Sequence, residues 1–191
     1  MLTDIEKHDW IDLKVDALAT PFEDASLDVV IASHMIHHVA RPKFFFDEMT
    51  RILKPGGLVV IQEINTSLMM RAALRLMNHE GWSYDVNVFD PSREVNDPRD
   101  PWSANCAVPW LLFHDMKKFT EHFPQFECHK NELCECFMLL ASGGVIAKAK
   151  TIPLPGWMLD AIDTLDGFLV SGLPGVFAMG QRVVLQLKKK L

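Results

Sequence analysis

Residues 16–39 read DALATPFEDASLDVVIASHMIHHV, and residues 51–64 read RILKPGGLVVIQEI. The first segment places an acidic residue before a continuous apolar run that ends in Ser33, and a histidine pair follows. The second places a Lys-Pro-Gly-Gly turn before another apolar run. Such runs are typical of parallel strands covered on both faces, and polar groups at the carboxyl ends of parallel strands line ligand sites. The stretch therefore predicts one half of an α/β ligand site.

The surrounding sequence predicts an alternation of short strands and helices. The first strand ends on Asp4, and Pro42 opens a helix that the turn at 54–57 ends, because proline cannot continue it. Strand, helix and strand joined by short connections predict a right-handed parallel crossover. The predicted strands are residues 1–5, 11–15, 27–33, 58–64, 126–133 and 182–187, and the predicted helices are residues 43–53, 67–78, 112–123, 135–142 and 156–170.

Two of these helices have a predicted outer face. In the helix over 43–53, we expect Asp47, Glu48 and Arg51 to face solvent. In the helix over 156–170, apolar and acidic residues alternate at helical spacing, which predicts a buried apolar face and an exposed acidic one. The apolar set is Leu159, Ile162, Leu165 and Leu169, and the acidic set is Asp160, Asp163 and Asp166.

Length, composition and charge limit the classes of protein. A chain of 191 residues with 49% apolar and 23% charged residues is expected to form a single domain, residues 1–191. Its net charge of −6 disfavours nucleic acid as a partner, since binding to phosphates needs lysine and arginine. The longest mainly apolar run, residues 167–180, contains Pro174 and is too short to span a membrane. The acidic first ten residues do not form a signal peptide.

The four cysteines indicate buried thiols in a reducing cytoplasm. Cys134 and Cys136, with His129 nearby, suggest a metal site at first sight. No C-x-x-C occurs, however, and a second pair of zinc ligands is absent. The sequence therefore predicts no metal and a cytoplasmic location.

Residues 79–110 break the alternation with four X-Pro steps. A long polar segment rich in proline is usually a functional lid or disordered, and Trp82, Trp102 and Trp110 favour an ordered lid. His79 and Glu80, at its start, either contact substrate or form an ordinary exposed helix end.

Four short motifs in register resemble class I S-adenosylmethionine-dependent methyltransferases, closest to their small-molecule branch. They are DALATPF at 16–22, EDASLD at 23–28, SHMIHHV at 33–39 and RILKPGG at 51–57, and the resemblance covers residues 1–65. It implies a Rossmann-like α/β fold with a mostly parallel sheet. The strand over 182–187 resembles the antiparallel strand that closes that sheet, and the residues before it, 135–178, would be inserted helices.

The resemblance also implies a set of cofactor-binding residues. Asp4 matches the acidic residue that holds the ribose hydroxyls of S-adenosylmethionine, in the way that dinucleotide folds use a carboxylate. Asp16 and Ala17 match the pair that reads the adenine amino edge. Ser33 and His34 match positions beside the methionine part. The implied cofactor set is Asp4, Ile5, Asp16, Ala17, Ser33 and His34.

One part of the family pattern has no counterpart in the sequence. The 15 residues before Asp16 contain no glycine, so the first strand, its glycine-rich turn and the following helix are missing. Those glycines let the backbone approach the ligand, and the lost strand would leave an open sheet edge. We expect the reading frame to begin upstream; a truncated protein and a unit supplied by another chain are the alternatives. The chain alone is expected to bind cofactor weakly and to have little or no activity.

The histidine pair has two interpretations. His37 or His38 could be the general base that takes a proton from the methyl acceptor, and His38 is then the preferred residue. The alternative is that these histidines cap the following helix or pack beneath it.

The sequence as a whole predicts an enzyme that transfers a methyl group from S-adenosylmethionine to a small molecule. The lid and the inserted helices indicate an acceptor with an apolar portion, although a cap over the sheet explains the same residues. The alternative is a non-catalytic, degenerate module that pairs with a second copy or another chain at the open strand edge. A nicotinamide oxidoreductase is disfavoured because no Tyr-x-x-x-Lys occurs.

Overall fold

The computed structural model describes residues 1–78, 80–142, 151 and 153–189. His79 and part of the predicted helical insertion therefore lie outside the described residues. No helix in the described part of the chain is long and apolar enough to cross a membrane. The elements in chain order are β1 (Thr3–Asp4), β2 (Leu13–Lys14), β3 (Leu27–Ser33), α1 (Pro42–Ile52), β4 (Leu53–Ile64), α2 (Leu68–Met77), α3 (Val108–Phe113), α4 (Met116–His122), β5 (Phe126–Cys134), α5 (Phe137–Ala141), α6 (Gly156–Gly172), α7 (Pro174–Phe177) and β6 (Gly180–Leu187).

The strands form a small parallel sheet and a larger mixed sheet. β1 pairs with β2 in parallel, and the four-stranded sheet has the order β3-β4-β6-β5. β3 and β4 are parallel, whereas β6 runs antiparallel to both β4 and β5. β3, β4 and β5 thus share one direction, and the predicted antiparallel closing strand is confirmed. Because β3 and β4 are parallel neighbours, their carboxyl ends lie side by side.

The Lys-Pro-Gly-Gly segment ends α1 as predicted but forms a bulge within β4 rather than a separate turn. The pairing of β3 with β4 jumps from Leu27↔Leu53 to Val29↔Leu58. Gly56 has a φ of +89°, which favours glycine. A Cβ at Gly57 would lie 2.9 Å from a carbonyl oxygen of β4. The two glycines therefore set the register that aligns the ends of β3 and β4.

One face of β3 is open, contrary to the expectation of a strand covered on both faces. Ala32 is buried, but Val29 and Ile31 are 48% and 72% exposed. β3 is an edge strand of the larger sheet, and no described element covers these two side chains. A continuous apolar run does not distinguish an edge strand from a central one.

The helix predicted over 112–123 is two helices, α3 and α4. Asp115 interrupts it because its carboxylate accepts a hydrogen bond from the backbone N–H of Lys118 at 3.1 Å and so caps α4. The predicted faces of α6 are also wrong in part. Asp166 is buried and accepts hydrogen bonds from the backbone N–H groups of residues 136–138, while Leu165 is 46% exposed. The aspartate caps α5, a partner about 30 residues away in sequence.

The expected outward position of Glu48 is wrong as well. Its carboxylate is buried and accepts hydrogen bonds from Thr20 and from Arg51, at 2.6 Å in each case. Arg51 also donates to Asp24 and to the carbonyl oxygen of Phe22. Glu48 and Arg51 therefore hold the loop after β2 against α1 by hydrogen bonds. The hydrogen bonds from Arg51 lower the pKa of Glu48 to about 2, against the opposing effect of burial.

This network predicts an acid-dependent loss of stability. Because the folded-state pKa of Glu48 is depressed, its contribution is present above the unfolded value of 4.5 and is lost as the pH falls through about 2. Glu48→Gln is expected to lower the free energy of unfolding by about 2 kcal/mol near neutral pH, and by less as the pH falls. Urea unfolding at several pH values measures the difference.

The matched control is Lys43→Ala, which removes an exposed pair with Asp47 and is expected to cost about 0.5 kcal/mol or less. A difference between the wild type and Glu48→Gln that does not change with pH would contradict this account.

Candidate active site

The site is built where β3 and β4 end. Ser33, the last residue of β3, pairs with Gln62 of β4, and the backbone N–H of His34 donates to the carbonyl oxygen of Gln62 at 2.8 Å. His34 has a φ of +48°, an uncommon value for a residue with a side chain. This sharp turn leads into a single 3-10 turn, Ile36–His38, that carries the histidine pair.

A buried carboxylate holds this turn in place. Glu63, in β4, is fully buried and lies 2.6 Å from Nδ1 of His37 through Oε2. Its Oε1 accepts a hydrogen bond from the backbone N–H of Ile36 at 2.5 Å, and its Oε2 accepts another from Ile64 at 3.1 Å. The Nδ1–H of His37 therefore donates to Glu63, which leaves Nε2 as the atom that faces outward.

The electrostatics favour an ion pair between these two side chains. Burial lowers the pKa of His37, but the charge and the hydrogen bond of Glu63, with a further contribution from Glu80, raise it above 6.5. Burial raises the pKa of Glu63, but the charge and the hydrogen bond of His37 lower it below 4.5. His38 differs: burial, and then the charge of His37, lower its pKa below 6.5. The two histidines therefore have different proton affinities.

The segment predicted as a lid packs directly on the histidine turn. Asn96 donates to the carbonyl oxygen of His37 at 2.8 Å, and the backbone N–H of Asn105 donates to the same oxygen at 2.9 Å. The carbonyl oxygen of Ser103 lies 3.2 Å from Nδ1 of His38. The segment is thus hydrogen-bonded to the site although its described residues 80–107 form no helix or strand, only a bridge between Gly81 and Asn105.

A cavity of about 460 Å³ lies within this segment. Of the three tryptophans, Trp82 lines it, Trp102 is 70% exposed, and Trp110 stacks on His114. Other lining residues are Val86, Val95, Asn96, Ser103 and Asn105.

The implied cofactor residues fall into two groups. Asp4 ends β1 and Asp16 follows β2, so both lie at the carboxyl ends of the small sheet. Each carboxylate accepts one backbone N–H, from Glu6 at 2.8 Å and from Leu18 at 2.9 Å. Ile5 is largely exposed, and Ala17 packs partly against the core.

Ser33 and His34 form the second group, at the end of β3 in the larger sheet. Within the described residues, no hydrogen bond or ion pair joins this group to Asp4 or Asp16. Nδ1 of His34 is buried and has no hydrogen-bond partner among those residues.

Glu63 and its pairing with His37 were not predicted from the sequence. The available signal was an acidic residue inside a mainly apolar strand, VVIQEI, because glutamate is rarely fully buried without a partner. Glu80, for which the sequence left a substrate contact and an exposed helix end as alternatives, has its carboxylate 3.5 Å from Nε2 of His37 and 3.6 Å from Nε2 of His38.

Comparisons with known proteins agree with this architecture. Residues 3–61 match the family model described as a methyltransferase domain. The demethylmenaquinone methyltransferase of Clavibacter sepedonicus is 45% identical over 51 residues, which cover 27% of this chain and 21% of that protein. The hybrid PKS-NRPS synthetase opdA of Penicillium oxalicum is 24% identical over 166 residues, 85% of this chain and 4% of that protein. The chain thus spans about a fifth or less of the length of these relatives.

A solved structure extends the likeness over the whole fold. The crystal structure of a SAM-dependent methyltransferase from Archaeoglobus fulgidus superposes with a TM-score of 0.54 over 96% of this chain and 74% of that chain, at 18% identity. The resemblance indicated by the sequence is confirmed, and S-adenosylmethionine is the cofactor of the family concerned. Residues 3–61 thus match the methyltransferase-domain family, and the described chain shares its fold with a SAM-dependent methyltransferase.

Proposed function

We propose that the protein transfers a methyl group from S-adenosylmethionine to a small molecule with an apolar portion, and that His37 accepts the proton that the acceptor loses. The observation that carries this proposal is the buried hydrogen bond between His37 and Glu63 at the ends of two parallel strands. His37 lies in the motif SHMIHHV at 33–39, and Glu63 lies near the end of β4.

The residues at the strand ends fit the cofactor. Asp4 and Asp16 each keep carboxylate lone pairs beyond the one backbone hydrogen bond they accept, which suits ribose hydroxyls and an adenine amino group. The orphaned Nδ1 of His34 is a buried polar atom that a ligand would satisfy. When bound, S-adenosylmethionine supplies an electrophilic methyl group, so the difficult chemistry belongs to the cofactor.

The chain then has to align the acceptor, remove a proton and exclude water. Glu63 fixes the His37 ring by its hydrogen bond to Nδ1, and Nε2 accepts a proton when the ring is neutral. Because the His37 pKa is raised, we expect this neutral form, and with it turnover, to increase as the pH rises above 6.5. This geometry favours His37 over His38, whose Nδ1 meets only a backbone carbonyl group. The segment from 80 to 107 would exclude water, and alignment of this kind supplies up to about 7–11 kcal/mol.

The cavity within the segment from 80 to 107 supports an acceptor with both apolar and polar parts, because Asn96 and Asn105 of its lining also bond to the carbonyl oxygen of His37. Its lining combines three apolar side chains with two amides and two carboxylates, namely Trp82, Val86, Val95, Asn96, Asn105, Glu94 and Asp97. The relative from Clavibacter sepedonicus, which is similar over 51 residues, is named as a demethylmenaquinone methyltransferase. That name describes the relative, and an apolar acceptor for this chain would be consistent with it.

A non-catalytic interaction module is the second candidate, and one observation supports it. β3 has only β4 as a partner in the described sheets, and Val29 and Ile31 on its open face are exposed. An edge strand with apolar side chains favours pairing with another chain.

Calorimetry with S-adenosylhomocysteine on the full-length protein distinguishes the two candidates. We expect binding by the wild type, and a loss of about 10–100-fold in affinity for Asp4→Ala or Asp16→Ala, because each removes hydrogen bonds to a charged group. Asp28→Ala is the matched control, since Asp28 pairs only with Lys54. If the full-length protein gives no binding heat and sediments as a stable dimer, the result contradicts the proposed methyltransferase and supports the non-catalytic interaction module.

A further inference from the structure

Three metal-binding side chains converge beside the lid segment. They are His37, His38 and Glu80, and their ligand atoms all lie within 4.8 Å of one another. We propose that Nε2 of His37, Nε2 of His38 and the carboxylate of Glu80 bind one divalent transition-metal ion, with zinc preferred. The sequence predicted no metal. At Cys134, Cys136 and His129, which resemble a metal site at first sight, no such group is found among the described residues.

The strongest support is the way in which both histidine rings are held. Metal-binding histidines nearly always donate their other ring N–H to a carboxylate or a backbone carbonyl group. Nδ1 of His37 lies 2.6 Å from Glu63, and Nδ1 of His38 lies 3.2 Å from the carbonyl oxygen of Ser103. Both rings therefore turn Nε2 toward Glu80, and a bound metal ion would take the place of any proton on these atoms.

The distances between the donor atoms fit a metal better than direct hydrogen bonds. The carboxylate of Glu80 lies 3.5 Å from Nε2 of His37 and 3.6 Å from Nε2 of His38. Bonds of about 2.0–2.1 Å in tetrahedral geometry place neighbouring ligand atoms about 3.4 Å apart. The spacing of these three atoms therefore allows a single ion to contact all of them.

The donor set selects the class of metal. Two imidazoles and one carboxylate suit zinc and its neighbours, whereas magnesium and calcium take oxygen ligands. Three protein ligands leave the fourth tetrahedral position open for water or another group. The thiol of Cys106 is nearby, 3.5 Å from the Glu80 carboxylate.

The inference goes beyond the proposed methyl transfer and does not depend on it, because it uses only the chain's own donor atoms. It has one functional consequence: Nε2 of His37 cannot bind a metal ion and accept a proton at the same time. Zinc is therefore expected to inhibit methyl transfer, and a chelator to restore it.

The test is a zinc titration of the full-length protein against a chromophoric chelator, without S-adenosylmethionine. We expect one zinc ion per chain, and affinity at least tenfold lower for His38→Asn and for Glu80→Gln. Glu63→Gln removes no metal ligand but weakens the hydrogen bond that holds the His37 ring, so it should lower the affinity for zinc by about 10–100-fold. His129→Ala is the control, since His129 is exposed and bonded to Gln186.

A second readout is spectroscopic and does not depend on affinity. Imidazole nitrogen NMR signals should show that zinc perturbs Nε2 of two histidines, which His38→Asn and His129→Ala assign. Equal zinc affinity for the wild type and Glu80→Gln, or zinc-dependent shifts confined to other histidines, would overturn the proposal. Because neither readout involves turnover, a failed methyl-transfer assay leaves this result intact.

Discussion

Replacing His37 with asparagine is expected to slow methyl transfer by about 10²–10⁴-fold, the usual contribution of a general base. Asparagine keeps a hydrogen bond to Glu63 within reach but has no nitrogen that accepts a proton. Affinity for S-adenosylhomocysteine should not change, because His37 is not among the residues expected to contact the cofactor. The measurement is the turnover of tritium-labelled methyl, with chelator present, for the best acceptor among quinols, phenols and 1,3-dicarbonyl compounds.

His38→Asn is the matched control in this assay. Nδ1 of His38 meets only a backbone carbonyl oxygen, so we expect its replacement to slow turnover by less than about tenfold. The reverse order, with His38→Asn slow and His37→Asn nearly normal, would return the role of base to His38, the residue that the sequence alone favoured.

Replacing Phe46 with alanine is expected to lower the free energy of unfolding by about 3–5 kcal/mol, the usual cost of removing a buried aromatic ring. Phe46 is fully buried in α1, and its ring contacts five other phenylalanines, which come from three helices, the residue after α4 and a strand. The cavity left behind would border Phe45, Phe113, Phe119, Phe123 and Phe126. Urea unfolding monitored by far-UV circular dichroism measures the change.

The neighbouring residue provides the control for this prediction. Phe44 is 36% exposed and lies against Arg41, so Phe44→Ala should cost about 1 kcal/mol or less. Equal losses for the two variants would mean that Phe46 does not hold the core together as described.

Local signals allowed much of the fold to be predicted from the sequence. The helix expected over 67–78 is α2 with its caps: Ser67 accepts from Met70, and Asn78 adopts a left-handed conformation. The strand over 27–33 is β3 without any change in its bounds. These predictions worked because caps, turns and apolar runs depend on adjacent residues.

The errors arose where a partner is distant in sequence. Glu48 is buried because Thr20 reaches it from the loop after β2, and Asp166 is buried because it caps α5. Helical spacing predicts which residues share a face, but it does not reveal a buried partner on another element. Charged residues on an apparently exposed face were therefore placed in solvent.

In the candidate site, too, features that depend on adjacent residues were predicted, and a partner distant in sequence was not. The histidine pair and Glu80 could be named from the sequence, since polar residues after a buried strand are conspicuous. The partner of His37 could not, because Glu63 is 26 residues away and becomes a neighbour only when β3 and β4 pair in parallel register. The contact with Glu63 is the main cause that raises the pKa of His37, whereas burial is the main cause that lowers the pKa of His38.

The most direct test of the account compares His37→Asn, Glu63→Gln and the double variant in the labelled-methyl assay. If Glu63 acts by holding His37, the double variant should be no slower than His37→Asn alone, since residues that act as one unit are not additive. Rate losses that multiply in the double variant would contradict the account, because each residue would then act on its own.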